Sequence, residues 1–170
     1  MHKEFLSYSA RKLRQSTERI EDCAGRLSDE QLWWRVAASC NAPGNLILHL
    51  TGNVGQWVIC GIGGAPDTRV RDAEFAATGN ESSRERLVSS LRSRVDAACQ
   101  VIEAIPEQRL PEHIRVQDYE VTVLEAVYHV VEHFSHHTGQ ILYATKLLTK
   151  SDLGYYRHLA LAAAHSETTP

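Results

Sequence analysis

The sequence predicts an all-α protein: a four-helix bundle with a long crossover after the second helix and a short C-terminal helix. Three observations predict this fold. Apolar residues recur every three to four positions over four long segments, capping patterns precede two of these segments, and a long charged connection separates the second segment from the third. The 170 residues match one domain, which we expect to span 1–165 with a flexible tail at 166–170.

The first two predicted helices are defined by their apolar stripes. In the first helix, leucine or isoleucine recurs every seventh residue from Leu6 to Leu27, which is the spacing of a packed seam. A capping box at 28–31 then favours a short turn. The second helix is expected to begin near Pro43 and to end at the glycine-rich stretch 61–66. Its apolar stripe consists of Leu46, Leu50, Val54 and Trp57.

The crossover at 61–80 is too long for a tight turn between helices, and its mixed charges suggest that it crosses the end of the bundle. The third helix is expected to start at the capping box Ser82-x-x-Glu85 and to end at Pro106. Its stripe consists of Leu87, Leu91, Val95, Ala98 and Ile102.

The fourth helix is predicted to be the longest. Thr122-x-x-Glu125 is a capping box, and the apolar pattern continues to about Leu148. Before it, Val116 and Val121 mark a short extended piece, and nothing else resembles a strand. The segment 152–164 is predicted to add a short helix.

Composition excludes several classes of function. The chain has 18 Lys and Arg against 21 Asp and Glu, which argues against nucleic acid or a polybasic membrane contact as partners. No apolar stretch approaches the length of a membrane span, and no apolar signal region follows Met1. The four cysteines form no Cys-x-x-Cys pair, so we expect a cytoplasmic protein with reduced thiols.

Histidine is the exceptional residue type, because four of the nine lie between positions 129 and 137. At about 100° per residue, His133 and His137 face the core of the fourth helix, whereas His129 and His136 turn towards solvent. On the second helix His49 belongs to a polar lane beside the apolar stripe. Three neutral imidazoles on two facing helices are a typical catalytic zinc arrangement, although each histidine could equally be a hydrogen-bonded residue at the core edge.

The polar lane contains three further residues whose roles stay open. Asn53 and Gln56 are either outer groups that orient the imidazoles or caps of buried carbonyls. Cys60 lies too far along the helix from His49 to share an ion, so we interpret it as a small core residue.

Two motifs resemble those of the DinB/YfiT-like superfamily of four-helix-bundle metalloproteins. They are 49–53 (HLTGN) and 132–141 (EHFSHHTGQI), while 67–75 (DTRVRDAEF) resembles an uncharacterised branch of that superfamily. The resemblance implies a divalent metal ion, nickel or zinc, as cofactor. It places the ligands at His49, His133 and His137, and no ligand at His129 or His136.

The resemblance also implies a function class. Some members of the superfamily are thiol transferases or isomerases that use low-molecular-weight thiols, and others are described as hydrolases. We therefore expect a metal-dependent transferase or hydrolase whose partner is a small molecule, with a low-molecular-weight thiol as one candidate. Arg69 and Arg71 of the crossover are either contacts for a substrate carboxylate or solvated loop charges. The alternatives are a non-catalytic metal-binding stress protein and a metal-free interaction module, and the long apolar faces are compatible with a homodimer.

Overall fold

The computed structural model describes residues 1–79 and 82–157 and is mostly helical. Four long helices carry the core. Short elements connect them, including a helix in the crossover and a two-stranded hairpin before the last helix. The elements are α1 (His2–Arg26), α2 (Asp29–Leu32), α3 (Pro43–Val54) with a π-helical extension (Gly55–Ile62), α4 (Arg71–Ala76), α5 (Arg84–Glu103), a 3-10 turn (Glu107–Arg109), β1 (His113–Val116), β2 (Tyr119–Thr122) and α6 (Val123–Thr149).

The four long helices share one core. Helix α1 packs against α5 and α6, and α3 packs against the same two helices. The apolar stripes predicted from the sequence are buried, and Phe134 at the centre of α6 is completely enclosed. Because burial of apolar surface is the main favourable contribution to folding, these stripes fix which faces of the helices meet. None of the described helices combines the length and the apolar character needed to cross a membrane.

The second predicted helix continues beyond its α-helical part. Pro43 occupies the first turn, where its missing N–H is tolerated, and the side-chain oxygen of Asn45 accepts the backbone N–H of Ala42 at 3.2 Å. After Val54 the helix continues as the π-helix. The π-helix ends at Ile62, within the glycine-rich stretch that we expected to terminate the second helix. The π-helical geometry was not predicted.

Of the three predicted capping boxes, those that begin at Ser28 and Thr122 are confirmed, and the one predicted at Ser82 is wrong by a residue. The side chain of Thr122 accepts the N–H of Glu125 at 3.2 Å, and the Glu125 carboxylate accepts the N–H of Thr122 at 2.7 Å. At α5 the cap is Ser83 rather than Ser82, and it accepts the N–H of Arg86 at 3.4 Å. Adjacent serines offer the same chemistry, so the sequence alone did not distinguish them.

The extended piece predicted around Val116 and Val121 is confirmed as an antiparallel hairpin in which Val116 pairs with Tyr119. Gln117 has a φ of 56° at its turn, in the left-handed region. Val116 is buried against Gly61 of the π-helix, where an added Cβ would come within 2.5 Å of its side chain. The glycine therefore lets the hairpin dock on the extension of α3.

The crossover packs against α3, whereas we expected it to cross the end of the bundle. The buried side chain of Asn45 donates to the carbonyl oxygens of Glu74 and Ala77, both at 2.9 Å. Arg35 donates to the carbonyl of Phe75 at 2.9 Å. These bonds satisfy the backbone where α4 ends and hold the crossover beside the helix that carries His49.

In the described part of the predicted C-terminal helix, residues 152–156 are not helical and Arg157 is. Residues 152–156 form extended chain and a turn, in which Asp152 accepts the N–H of Gly154 at 3.1 Å. Tyr155 ties this turn to α1 because its hydroxyl donates to Asp22 at 2.7 Å. A side-chain bond that favours a turn competes with helix formation at this position. The rest of that prediction, 158–164, and the expected tail at 166–170 lie outside the described residues.

Candidate metal centre

The structure brings together the three histidines that the sequence predicts as ligands. His49 lies on α3, and His133 and His137 lie one turn apart on α6. One ring nitrogen from each histidine lies within 4.8 Å of the other two. His49 is buried and the other two are half-buried. Their role as metal ligands stays a prediction, while their proximity is a property of the fold.

The geometry of the cluster leaves the Nε2 atoms available inside it. The Nε2 atoms of His49 and His133 are 3.1 Å apart. His137 has its Nδ1 at 2.7 Å from Oε1 of Gln140, whose amide nitrogen faces His136 at 3.3 Å. Since the amide oxygen accepts, Nδ1 of His137 carries the proton and its Nε2 is free to coordinate.

A buried carboxylate lies behind His49. The Oε2 atom of Glu74, on α4, is 2.9 Å from Nδ1 of His49. Arg69 donates to the same carboxylate twice, from Nε to Oε1 at 2.7 Å and from Nη2 to Oε2 at 2.8 Å. A carboxylate behind a coordinating imidazole is a common outer group of metal sites.

The two arginines of the crossover differ in their surroundings, because Arg69 pairs with Glu74. The side chain of Arg69 is only 5% exposed and is paired with Glu74, so it is neither a solvated loop charge nor a free contact for a substrate. Arg71 is exposed, and its guanidinium lies 5.0 Å from the centre of the Phe75 ring. The role of Glu74 was not predictable from the sequence, because a single acid in a charged segment has no periodic pattern.

His129 was predicted to face solvent, and this prediction is wrong. It is half-buried, its ring stacks 4.1 Å from Trp57, and it lies 5.5 Å from the ring of His133. The hairpin and the π-helix cover this side of α6, which helix geometry alone did not reveal. His136 is exposed, as predicted.

The remaining members of the polar lane, Gln56, Asn53 and Cys60, lie in different surroundings. The Oε1 atom of Gln56 accepts Arg69 at 2.8 Å and Gln117 of the hairpin turn at 2.6 Å, so Gln56 links the crossover to the hairpin. The Oδ1 atom of Asn53 is buried and has no hydrogen-bond partner among the described residues. Cys60 is half-buried beside the carbonyl of Pro66 and lies outside the histidine cluster.

The electrostatics keep the imidazoles of His133 and His137 neutral. Burial, followed by the neighbouring His137 and His49, lowers the pKa of His133 to about 3. Burial also lowers the pKa of His137. Burial opposes ionisation of Glu74, but the hydrogen bonds from Arg69 and His49 outweigh it, so the pKa of Glu74 is lowered. A neutral imidazole is the form that coordinates a metal ion.

The residues present fit a divalent transition metal. When two nitrogens each bind a tetrahedral ion at about 2.05 Å, the nitrogens lie about 3.3 Å from each other. The observed distance between Nε2 of His49 and Nε2 of His133 is 3.1 Å, which is close to this value. Imidazole nitrogens suit zinc and nickel equally, so the donor set does not select between them.

A cavity of about 490 Å³ opens beside this cluster. Both His49 and His133 reach it, so one side of the cluster is accessible to a small molecule. Its wall combines aromatic and apolar side chains with charged and amide groups. The other lining residues are Asn53, Trp57, Arg69, Arg71, Gln117, Tyr119, Val121, Glu125 and His129.

The neutral histidines predict an acid-sensitive fold in the metal-free protein. Unfolded His133 takes up a proton near its ordinary pKa of 6.5, whereas folded His133 stays neutral down to about 3. Between these values the unfolded state binds more protons, so stability falls as the pH falls. His137 acts in the same direction, and Glu74 adds to the effect below its ordinary pKa of 4.5.

We therefore expect the melting temperature of the metal-free protein to decrease between about pH 7 and about pH 5. Thermal unfolding followed by circular dichroism in a chelating buffer measures this slope. The variant His133→Gln removes one of the buried imidazoles and should flatten it. An equally steep slope in that variant would contradict the assignment.

Comparisons with known proteins define the family. A family model described as "Protein of unknown function (DUF1572)" matches residues 1–163. No curated protein matches the chain. Two similar solved structures are a conserved protein from Enterococcus faecalis (TM-score 0.70, 16% identity, 85% of this chain and 97% of that chain) and the DinB-like protein YjoA from Bacillus subtilis (TM-score 0.66, 15% identity, 88% of this chain and 97% of that chain).

At these identities the two structures establish the fold and nothing about activity. The DinB-like fold confirms the resemblance that the two histidine motifs carried. The family match covers nearly the whole chain, including both motifs and the crossover. The chain has a DinB-like fold and belongs to the DUF1572 family of proteins of unknown function.

Proposed function

We propose that this chain is a metal-dependent enzyme acting on a small molecule. A divalent ion, zinc or nickel, would be held by His49, His133 and His137 within a four-helix bundle. One observation carries the proposal: the three-histidine cluster faces a cavity of about 490 Å³ through two of its members, His49 and His133. A site with three protein ligands and an accessible side is the arrangement of catalytic rather than structural zinc.

The proposed reaction class is S-transfer or hydrolysis. When bound, a divalent ion acts as a Lewis acid that lowers the pKa of a thiol or a water molecule at its open position. The side chains that line the cavity determine which reactants fit beside the histidines. The Trp57–His129 stack forms an apolar wall, while Arg71 and Glu125 bring one charge of each sign to the cavity. A small molecule with both apolar and charged groups therefore suits this cavity.

The alternative function is a non-catalytic metal-binding or stress-response protein. A structural site is normally closed by a fourth protein ligand. Among the residues that the structure describes, the cluster contains three potential ligands, and no further His, Cys, Asp or Glu joins it. This composition favours the enzyme.

The proposal is tested by metal content and by turnover. We expect purified protein, reconstituted with zinc or nickel and then desalted, to retain about one equivalent of metal in elemental analysis. The loaded protein should convert an electrophile in the presence of a thiol, or hydrolyse an activated ester, and a chelator should abolish the reaction. Failure to retain metal would reject the site. Retained metal without turnover across both substrate classes would favour the non-catalytic alternative.

A further inference from the structure

We infer that the buried Arg69–Glu74 ion pair of the crossover is a positioning unit for His49. It holds the proton on Nδ1 of His49 and so directs the lone pair of Nε2 into the histidine cluster. The inference rests on the proposed metal site for its functional meaning, but the tautomer of His49 is measurable without metal.

The hydrogen bonds assign the proton. The Oε2 atom of Glu74 lies at 2.8 Å from Nη2 of Arg69 and at 2.9 Å from Nδ1 of His49, and one carboxylate oxygen can accept both. Nη2 of Arg69 also lies 3.1 Å from Nδ1 of His49. When Nδ1 carries a proton, this approach is simply that of two donors converging on one oxygen.

The Glu74 carboxylate also disfavours the other tautomer, in which Nε2 of His49 carries the proton. In that tautomer Nδ1 of His49 would accept from Arg69, and Nε2 would donate towards His133 at 3.1 Å. The lone pair of Nδ1 would then face, at hydrogen-bond distance, the Glu74 carboxylate that is paired with Arg69. A hydrogen bond to an ionised acceptor is stronger than one between neutral groups, so Glu74 selects the Nδ1–H form.

The positioning unit is rigid because all of its groups are buried and paired. The side chains of Arg69 and Glu74 are 5% and 9% exposed. The remaining guanidinium nitrogen, Nη1, donates to Gln56 at 2.8 Å. On the opposite side Gly52 of α3 provides the space, because a Cβ there would lie 1.9 Å from Oε1 of Glu74. The orientation of His49 thus depends on a segment outside the two helices that carry the histidines.

A consequence is that docking of the crossover and metal binding are coupled. His49 has a fixed tautomer only while α4 packs against α3, so a metal ion that requires this tautomer favours the docked crossover. The coupling is reciprocal, because a change at either partner alters the equilibrium of the other by the same factor.

The test removes both charges of the pair together, since removal of one would leave the other buried and unpaired. The variant combines Arg69→Met with Glu74→Gln. The matched control combines Arg14→Met with Glu103→Gln, which removes a bidentate pair between α1 and α5 away from the histidines. Nitrogen-15 NMR of the histidine rings reads the tautomer in metal-free protein, and a chelator competition reads the zinc affinity.

We expect the His49 signals of wild type and control to report the Nδ1–H form, and those of the variant to report a mixture of tautomers. Zinc affinity should fall about 10- to 100-fold in the variant and stay within about twofold in the control. A folded variant with an unchanged tautomer and unchanged affinity would overturn the inference. If the wild type binds neither zinc nor nickel, the proposed function fails, and the NMR comparison still decides the positioning role.

A second variant covers the case in which the double variant does not fold. Glu74→Asp keeps both charges and shortens the side chain by one methylene group, which withdraws the carboxylate from Nδ1 of His49. We expect the same direction of change in the tautomer and in zinc affinity. A folded Glu74→Asp protein that matches the wild type in both measurements would overturn the inference.

Discussion

Replacement of His133 by alanine is expected to reduce the metal content of the reconstituted protein to less than about a tenth of an equivalent. His133 is the central member of the cluster: its Nε2 lies 3.1 Å from that of His49, and its ring centre lies 4.5 Å from that of His137. With this imidazole removed, two ligands remain on different helices. The loss should exceed the about 10- to 100-fold change typical of outer groups.

Elemental analysis of the variant after reconstitution and desalting provides the measurement, with circular dichroism as a check on folding. His113→Ala is the matched control, because His113 is an exposed histidine of the hairpin whose side chain is 65% exposed. It should retain wild-type metal content. Full metal content in the His133→Ala protein would show that the ion binds at a site that does not include His133.

Replacement of Gly52 by alanine is expected to destabilise the fold and weaken metal binding together. The added Cβ would lie 1.9 Å from Oε1 of Glu74 and 2.7 Å from Nε of Arg69. The buried pair has no room to retreat without breaking its bonds to His49 and Gln56. Overpacking and partial loss of a buried ion pair together suggest a decrease of about 2–4 kcal/mol in the free energy of unfolding.

Urea unfolding of the metal-free variant measures this change, and zinc competition measures the affinity. Gly139→Ala is the matched control on α6, because an added Cβ at that exposed helical position meets nothing within 4 Å. There the greater helix propensity of alanine should stabilise the protein by up to about 1 kcal/mol. A Gly52→Ala protein as stable as the Gly139→Ala protein would show that the crossover yields easily.

The helices were predictable because their signals are local. The capping box at Thr122 and the apolar pattern that follows it placed α6 within about one residue of its observed bounds, Val123–Thr149. The same helix geometry turned His133 and His137 inward, and the polar lane on α3 brought His49 to meet them. Two amphipathic helices that share a core leave few ways to orient their faces, so these three residues could be selected from the sequence alone.

The surroundings of the cluster were not predictable in the same way. Glu74 and Arg69 lie in the crossover, where no periodicity relates a residue to a buried face. The half-burial of His129 depends on the hairpin and on Trp57, which cover α6 from outside. In both cases a contact between segments far apart in the sequence determines the environment, and helix geometry carries no information about it.

The π-helix left a signal that could have revealed it. Side chains four residues apart on an α-helix are offset by about 40°, so five of them at strict four-residue spacing would drift by about 160°. On α3 and its extension, all members of such a series are nonetheless buried. The wider turns of the π-helical part rotate each residue less than an α-helix does, so they offset the angular drift of these side chains away from the core. The series consists of Leu46, Leu50, Val54, Val58 and Ile62.

This compensation has a consequence for the winding of the segment. If Gly55–Ile62 closed as an ordinary α-helix without a change in length, the two four-residue steps from Val54 to Ile62 would drift by about 80°. Gly61, on which the hairpin docks, would turn away from Val116, and the aromatic wall beside the histidines would lose its support. The shape of the cavity therefore depends on the π-helical winding of a segment that contributes no histidine to the cluster.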